Sequence, residues 1–314
     1  MTAGSIEPPQ LIARWHSALL VAGAAMTGLL IILGGVVCVT TNGKGCPDWP
    51  GCYGHILPPL QMDAVIEFTH RVIAALTAPV LVGAAVAGWG KTRSSHWISR
   101  LPILAIVFLA AVVAFGATAV VYGLPPALAV ADVSSALIVL ALMVTAATVA
   151  EVRRRQPALP DRLSFRRPFA RLSLATLASV FLVLVSGVLV AGKGSLTRCL
   201  GWPLMVGRLI SSDVPGWPAV TRAVIATLAG LLVLALAEQA WRTQRQHARL
   251  VWLALAAGLL FLVEAGLQVL LLASDLTVWL LLASVTAVTC LWAALVAVVV
   301  LAGLTEAADA TPAR

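Results

Sequence analysis

The residues with the clearest chemistry are in the segment Ile66-Glu-Phe-Thr-His70-Arg71. Glu67 and His70 stand three apart, so in a helix they share a face. Ionisable side chains inside an apolar span are costly and normally face the bundle interior or a cavity. A neutral imidazole there is a ligand for a heme iron. The carboxylate of Glu67 would then orient the imidazole, relay protons or stand beside the reacting edge of a macrocycle. The alternative is a polar belt of Glu67, His70 and Arg71 at the headgroup level. Cys46 and Cys52 flank Pro47-Asp48-Trp49-Pro50-Gly51, a turn-rich spacer able to bring two side chains together. On the oxidising side of a membrane they form a disulfide, or else a reduced pair or thiol relay. Cys38 either pairs with Cys199 or packs unpaired, and Cys290 reads as a core residue.

The elements that must position these groups follow from composition. The chain has 314 residues, 61% hydrophobic and 11% charged, with a mean hydropathy of +0.99. Soluble domains are about 45–50% apolar and about 25% charged. Nucleic-acid binding, a secreted disulfide scaffold and intrinsic disorder are excluded. Eight apolar runs, about 16–40, 64–89, 101–122, 127–150, 172–192, 217–240, 250–273 and 276–303, are each long enough to cross a bilayer as a helix. The expected fold is an all-α integral membrane bundle of eight transmembrane helices. The runs lack the alternation of an outer-membrane barrel.

The net charge of +8 is a topology signal. Lys91, Arg93 and Arg100 lie in the second connection, Arg153, Arg154, Arg155, Arg162, Arg166, Arg167 and Arg171 in the fourth, and Arg242, Arg245 and Arg249 in the sixth. These connections are expected to be cytoplasmic, with both termini inside and the long first and fifth connections outside. The first run is too long for a signal-peptide core and is expected to be retained as a helix. Trp49, Trp89, Trp97, Trp202, Trp217, Trp241 and Trp279 fall mostly at the predicted membrane edges, as belt anchors do.

The sequence also matches itself. Gly43-Lys-Gly45 and Cys46-Pro-Asp-Trp49-Pro50 are echoed by Gly192-Lys-Gly194 and Cys199-Leu-Gly-Trp202-Pro203, and His70-Arg71 by Thr221-Arg222. Two four-helix repeats in the same orientation are implied, related by a pseudo-twofold along the membrane normal. The expected organisation is an N-terminal half over 1–150 carrying the outer Cys loop and a heme site, a basic linker over 151–171, and a C-terminal half over 172–314. Met205 stands where a partner for Cys199 equivalent to Cys52 would be, so the second loop cannot repeat the first bridge.

The Gly35-Val-Val start, the loop Gly43-Lys-Gly-Cys-Pro-Asp-Trp-Pro-Gly-Cys52, Ile56-Leu-Pro-Pro59 and Ile66-Glu-Phe-Thr-His70-Arg71 together resemble the heme A synthase family. The resemblance is close over roughly residues 20–80 and weaker beyond. It implies oxidation of a methyl group of heme O to the formyl group of heme A for cytochrome oxidase biogenesis, in a bacterial cytoplasmic membrane. A second, b-type heme is also implied. Glu67 and His70 fall on the family's helix-two glutamate and histidine, and Cys46 and Cys52 on its loop cysteines. The family's other histidines are replaced by Asp132, by Thr221 and by Ala283 or Ser284.

His70 is therefore expected to ligate the iron of a substrate heme in the N-terminal half, with Glu67 and Asp132 as catalytic candidates and Arg71 and Arg222 as partners for heme propionates. Snorkelling is the other reading of the arginines, and a local hydrogen bond or ion pair that of Asp132. The second iron ligand is left among Asp132, water, dioxygen and His55. A bis-histidine heme is not expected in the second half, whose polar residues within a span are Glu264 and Gln268. The implied partners are heme, membrane lipid, heme O synthase and cytochrome oxidase assembly factors, with a homo-oligomer left open. The competing expectation is a noncatalytic heme-binding or oxidase-assembly protein that kept the fold. A solute transporter would need broken helices and paired ionisable groups at the midplane, which the sequence lacks.

Overall fold

The computed structural model describes residues 12–40, 45–123, 125–157, 159, 161–190, 216–273 and 278–309. Cys199 and the rest of the second Gly-Lys-Gly and Cys-Leu-Gly-Trp loop, at 191–215, lie outside the described residues, so the readings placed on them are not addressed. The helical segments are α1 (Arg14–Thr40), α2 (Met62–Lys91), α3 (His96–Ser99), α4 (Leu101–Tyr122), α5 (Pro126–Arg155), α6 (Pro168–Val190), α7 (Gly216–Thr243), α8 (Ala248–Ala273) and α9 (Val278–Asp309). Eight spans are long and apolar enough to cross a membrane, the short α3 running into α4 as one of them. No strand occurs among the described residues. The expected all-α integral membrane architecture is the observed one.

Several helices run past the apolar stretches that announce them. α5 continues to Arg155 and α9 to Asp309. Charged residues there do not end the helix, because their long stems lie along it while the heads reach water or a partner. At the other ends, prolines at the first turns of α4 and α5 supply a fixed φ where no amide donor is needed.

Packing follows one plan in both parts of the chain. In the first, α1 packs on α2, α2 on α4, α4 on α5 and α5 on α1; in the second, α6 packs on α7, α7 on α8, α8 on α9 and α9 on α6. The rings meet through α5 against α9, α5 against α6 and α1 against α9. α9 is the most enclosed helix, with 72% of its span window buried. Trp292 on α9, 4% exposed, donates its indole N–H to the Leu137 carbonyl of α5 at 3.0 Å. Without that acceptor the indole N–H would be an unsatisfied donor in the core.

The linker between the rings is pinned at both sides. Asp161 accepts the Ser95 hydroxyl (2.9 Å) and the His96 amide (2.7 Å) and pairs with Arg153 at 3.1 Å. Glu306 of α9 accepts the Ser164 hydroxyl (2.7 Å) and the Arg166 and Arg167 amides (2.7 and 3.0 Å). One carboxylate thus holds the two backbone amides that lead into α6 just before Pro168. Glu306→Ala leaves those donors without an acceptor and should lower stability by about 1–3 kcal/mol, read as a lower thermal midpoint in detergent. An unchanged midpoint would mean that the linker is not held by Glu306.

Candidate functional site

The loop between α1 and α2 closes on itself and on α2. Cys46 and Cys52 are disulfide-bonded with their Cα atoms 4.8 Å apart, which settles the choice between bridge and free thiols. Both are buried, at 1% and 0% exposure, and pack with Ala64. Thiol exchange requires access to a sulfur, so this bridge is built as a staple. Cys38 is also disulfide-bonded, while Cys199, the partner considered for it, lies outside the described residues. Cys290 is a free thiol and is exposed rather than in the core.

The loop's backbone carbonyls converge on Arg71. Its Nη1 donates to Asp48 O (2.7 Å), Pro50 O (3.3 Å) and Gly51 O, and its Nη2 to Cys46 O (3.5 Å) and to the Glu67 carboxylate (2.6 Å). Glu67 in turn accepts the Cys46 amide through its other oxygen at 3.1 Å. The Glu67–Arg71 pair, with side chains 5% and 13% exposed, therefore neutralises itself and satisfies the ring closed by the disulfide. Gly45 is needed beside it, because a Cβ at that position would run into the Asp63 carbonyl and press on Glu67 Oε2.

The far side of the loop is held by Asp48, whose carboxylate accepts the Tyr53 amide (2.6 Å) and the Gly54 amide (2.5 Å). These bonds hold Tyr53 at a φ of 55°, a conformation uncommon for a residue with a side chain. The Gly54 amide foremost, with the Tyr53 amide and the charge of Arg71, holds the Asp48 carboxyl below its usual value against an opposing desolvation effect.

His70 lies on the neighbouring face of the same turn. It sits eight residues into α2, about 12 Å from its start at about 1.5 Å per residue. A Cβ at Gly34 would stand 3.3 Å from His70 Cε1, so the missing side chain on α1 makes room for the ring. His70 has no hydrogen-bond partner among the described residues, and its Nδ1 is fully buried. Asp132, six residues into α5 and about 9 Å from its start, also has a buried oxygen, Oδ1, with no partner. None of Ser134, Ser135, Arg71 or Arg222 bonds to it in the described residues. His55 is exposed on the outside of the loop, where it lines a shallow cleft with Tyr53, Leu57, Pro58 and Gln61.

The corresponding depth of the second ring is filled differently. Ser284, six residues into α9, donates to Glu264 Oε1 at 2.8 Å, and Gln268 donates to Glu264 Oε1 (2.7 Å) and to Ser284 Oγ (3.0 Å). Glu264, Gln268 and Ser284 are 0%, 3% and 3% exposed. Arg222 is 6% exposed and donates to the Val183 carbonyl of α6 at 3.5 Å, so it is packed inward rather than snorkelling. Sequence reasoning identified Glu264 and Gln268 but not that Ser284 joins them. The spacing of Ser284 from α8 carries no signal, since the contact is made between helices.

Two outcomes follow for the loop. Arg71→Ala should expose the disulfide to reduction about tenfold faster, since charge-assisted bonds contribute about 1.5–3 kcal/mol each; alkylation after timed treatment with a small phosphine would show it, and an unchanged rate would remove the clamp. The Asp48 contribution has the sign of a depressed carboxylate. It is complete above the ordinary value of 3.8 and is lost as pH falls through the lowered one. Protection of the Tyr53 and Gly54 amides against hydrogen exchange should drop on acidification below about pH 4, and Asp48→Asn should abolish that dependence.

The sequence matches known proteins across these elements. The model of the COX15-CtaA family, described as cytochrome oxidase assembly protein, matches residues 17–65 and 60–225. The chain is 27% identical over 273 residues to a heme A synthase of Halalkalibacterium halodurans, covering 84% of this chain and 90% of that protein. It is 29% identical over 213 residues to the heme A synthase of Staphylococcus haemolyticus, covering 65% and 66%. It is 26% identical over 278 residues to that of Bacillus cereus strain G9842, covering 87% and 89%. With a match that runs through the disulfide loop, α2 and α5, this chain belongs to the COX15-CtaA family of cytochrome oxidase assembly proteins.

Proposed function

We propose that the protein is a heme A synthase-type oxidoreductase that converts a methyl group of heme O to the formyl group of heme A in the N-terminal ring. The observation that carries this reading is that His70 Nδ1 on α2 and Asp132 Oδ1 on α5, in the same ring, are both buried without a partner among the described residues. A buried polar atom without a partner costs about 1–3 kcal/mol, and a ligand that engages both side chains would remove that cost. The donor set of the first ring fits a heme substrate: an imidazole for its iron, an acid for its oxygen chemistry. Iron in such a site supplies oxygen activation when heme is bound.

The chain's own residues have distinct tasks. His70 holds the substrate by its iron. Asp132, with one oxygen free, is placed to hold or pass a proton near the reacting carbon. Glu67 has both oxygens engaged, so its contribution is to fix the turn that carries His70 and to keep Arg71 neutralised. Arg71 Nε, the one nitrogen of that side chain with no bond to the loop among the described residues, is the donor left for a heme propionate in this ring, whereas Arg222 lies on α7 of the other ring, against α6. The disulfide loop caps the site against water.

A second, b-type heme does not fit the C-terminal ring. The positions that would supply its imidazoles are Thr221 and either Ala283, which has no donor atom, or Ser284, which is already bonded to Glu264 and Gln268. That network favours one alternative, a heme-binding oxidase-assembly protein without catalysis. The further assignments belong to the same reading. The halves 1–150 and 172–314 are an internal duplication joined by the linker 151–171. The basic connections and termini face the cytoplasm of a bacterial cell, and the disulfide loop faces outside. Heme O synthase and oxidase assembly factors are partners, with self-association of the chain left to experiment.

Enzyme and binder are separated by extracting hemes from cells that make heme O and express the chain. Wild type should accumulate heme A, His70→Ala none, and Asp132→Asn at least about tenfold less, the scale of general acid–base assistance. Heme O alone in the wild type, with heme still bound to the purified protein, would establish the binder instead.

A further inference from the structure

The end of the molecule opposite the disulfide loop has carboxylates that are all engaged among the described residues. Glu151 pairs with Arg154 and Arg155, Asp161 with Arg153, Glu238 with Arg242 and Asp309 with Arg167, and Glu306 holds the linker. Lys91, Arg93, Arg100, Arg245 and Arg249 are exposed there and have no carboxylate partner among the described residues. Positive charge without an ion-pair partner among the described residues thus stands on the turns that follow α2 and α7 and on the helix starts beside them, as it does on the linker at Arg162, Arg166 and Arg171.

Those two turns are built alike. Arg93 lies over the ring of Trp89 at 4.7 Å from its centroid, and Arg245 over the ring of Trp241 at 5.3 Å. In each pair the arginine follows the tryptophan by four residues, and the pairs are 152 residues apart. The backbone repeats at the same offset. The Thr92 amide donates to Gly88 O (3.1 Å) and the Ser95 amide to Thr92 O (2.9 Å), as the Gln244 amide does to Ala240 O (2.9 Å) and the His247 amide to Gln244 O (2.8 Å). Each arginine is the first residue of its turn, two residues beyond the helix end. Both indoles are about half exposed, at 53% and 49%, on helices whose outer faces show Val82 and Val86, or Leu228 and Leu231.

A guanidinium stacked on an indole is fixed in direction while its outer N–H groups stay open, and that fork matches the oxygens of a phosphate. An exposed indole at a helix end sits at headgroup depth, with the apolar helix face below it for an acyl chain. We infer that the Trp89–Arg93 and Trp241–Arg245 turns are two matched binding sites for the phosphate of an anionic phospholipid, one on each ring. Exposed apolar side chains on the same helices, Val82 and Val86 within two turns of Trp89 and Leu228 and Leu231 farther along α7 from Trp241, favour a lipid over a free anion. The nearby Lys91 and Arg249 add to the attraction without forming the fork.

The test is native mass spectrometry of the detergent-purified full chain titrated with phosphatidylglycerol, with phosphatidylcholine and glycerol phosphate as comparisons. Wild type should retain two phosphatidylglycerol molecules and release them as salt is raised. Arg93→Gln and Arg245→Gln should each weaken one site about fivefold, the effect of one basic residue at a membrane surface. The double variant should bind at both sites about fivefold more weakly, and phosphatidylcholine should not be retained. Equal retention by the double variant, equal binding of phosphatidylcholine, or salt-insensitive binding to wild type would each overturn the inference. Displacement of the lipid by glycerol phosphate would also do so, by making these sites for a free anion.

Discussion

The ion pair between Glu67 and Arg71 is the interaction on which the rest of the site depends. A lone charge inside a span costs about 2.5–3.5 kcal/mol on insertion scales, and this pair answers that cost within one turn of α2. Its geometry does more than neutralise. The guanidinium gathers carbonyls from Cys46, Asp48, Pro50 and Gly51, so the ring closed by the disulfide and the helix that carries His70 become one unit. Removing one member would leave a buried charge and a set of carbonyls without donors, which is the expensive way to break such a pair. The cap over His70 is therefore rigid for electrostatic reasons as well as covalent ones.

The two rings share their helix order and their turns but not their polar interiors. Beside His70 and Asp132 the first ring has buried atoms, Nδ1 and Oδ1, with no partner among the described residues. In the second, Glu264, Gln268 and Ser284 hydrogen-bond one another. Polar groups in hydrocarbon are tolerated when a partner is close, and are functional candidates when one is missing. That contrast is what supports the heme site proposed for the first ring. It also explains why α9 is so enclosed, since it supports both rings through α1, α5, α6 and α8.

Much of this was legible in the sequence because hydrocarbon imposes simple rules. The eight spans follow from run length, and Glu67 and His70 from ionisable residues three apart in an apolar run. The pairing of Cys46 with Cys52 needed the structure, since short spacing alone left free thiols open. Glu67 shows the limit most clearly. Its spacing to His70 suggested shared chemistry, while its engagement with Arg71 and the Cys46 amide depends on where the loop folds back, which no periodicity encodes. The isolation of Asp132 was equally invisible, because having no partner is a property of neighbouring helices. The Trp89–Arg93 and Trp241–Arg245 stacks are readable as four-residue spacings repeated along the chain, but in sequence the tryptophans read equally as belt anchors and the arginines as topology signals.

The central claim is that one ring holds heme through a single histidine and the other holds none. The most direct measurement is the heme-to-protein ratio of detergent-purified protein by pyridine hemochrome, wild type beside His70→Ala, produced in cells that make heme O. The account predicts no more than one heme per chain in wild type and loss of the Soret band in the variant. Two hemes per chain, or a Soret band undiminished in His70→Ala, would contradict it.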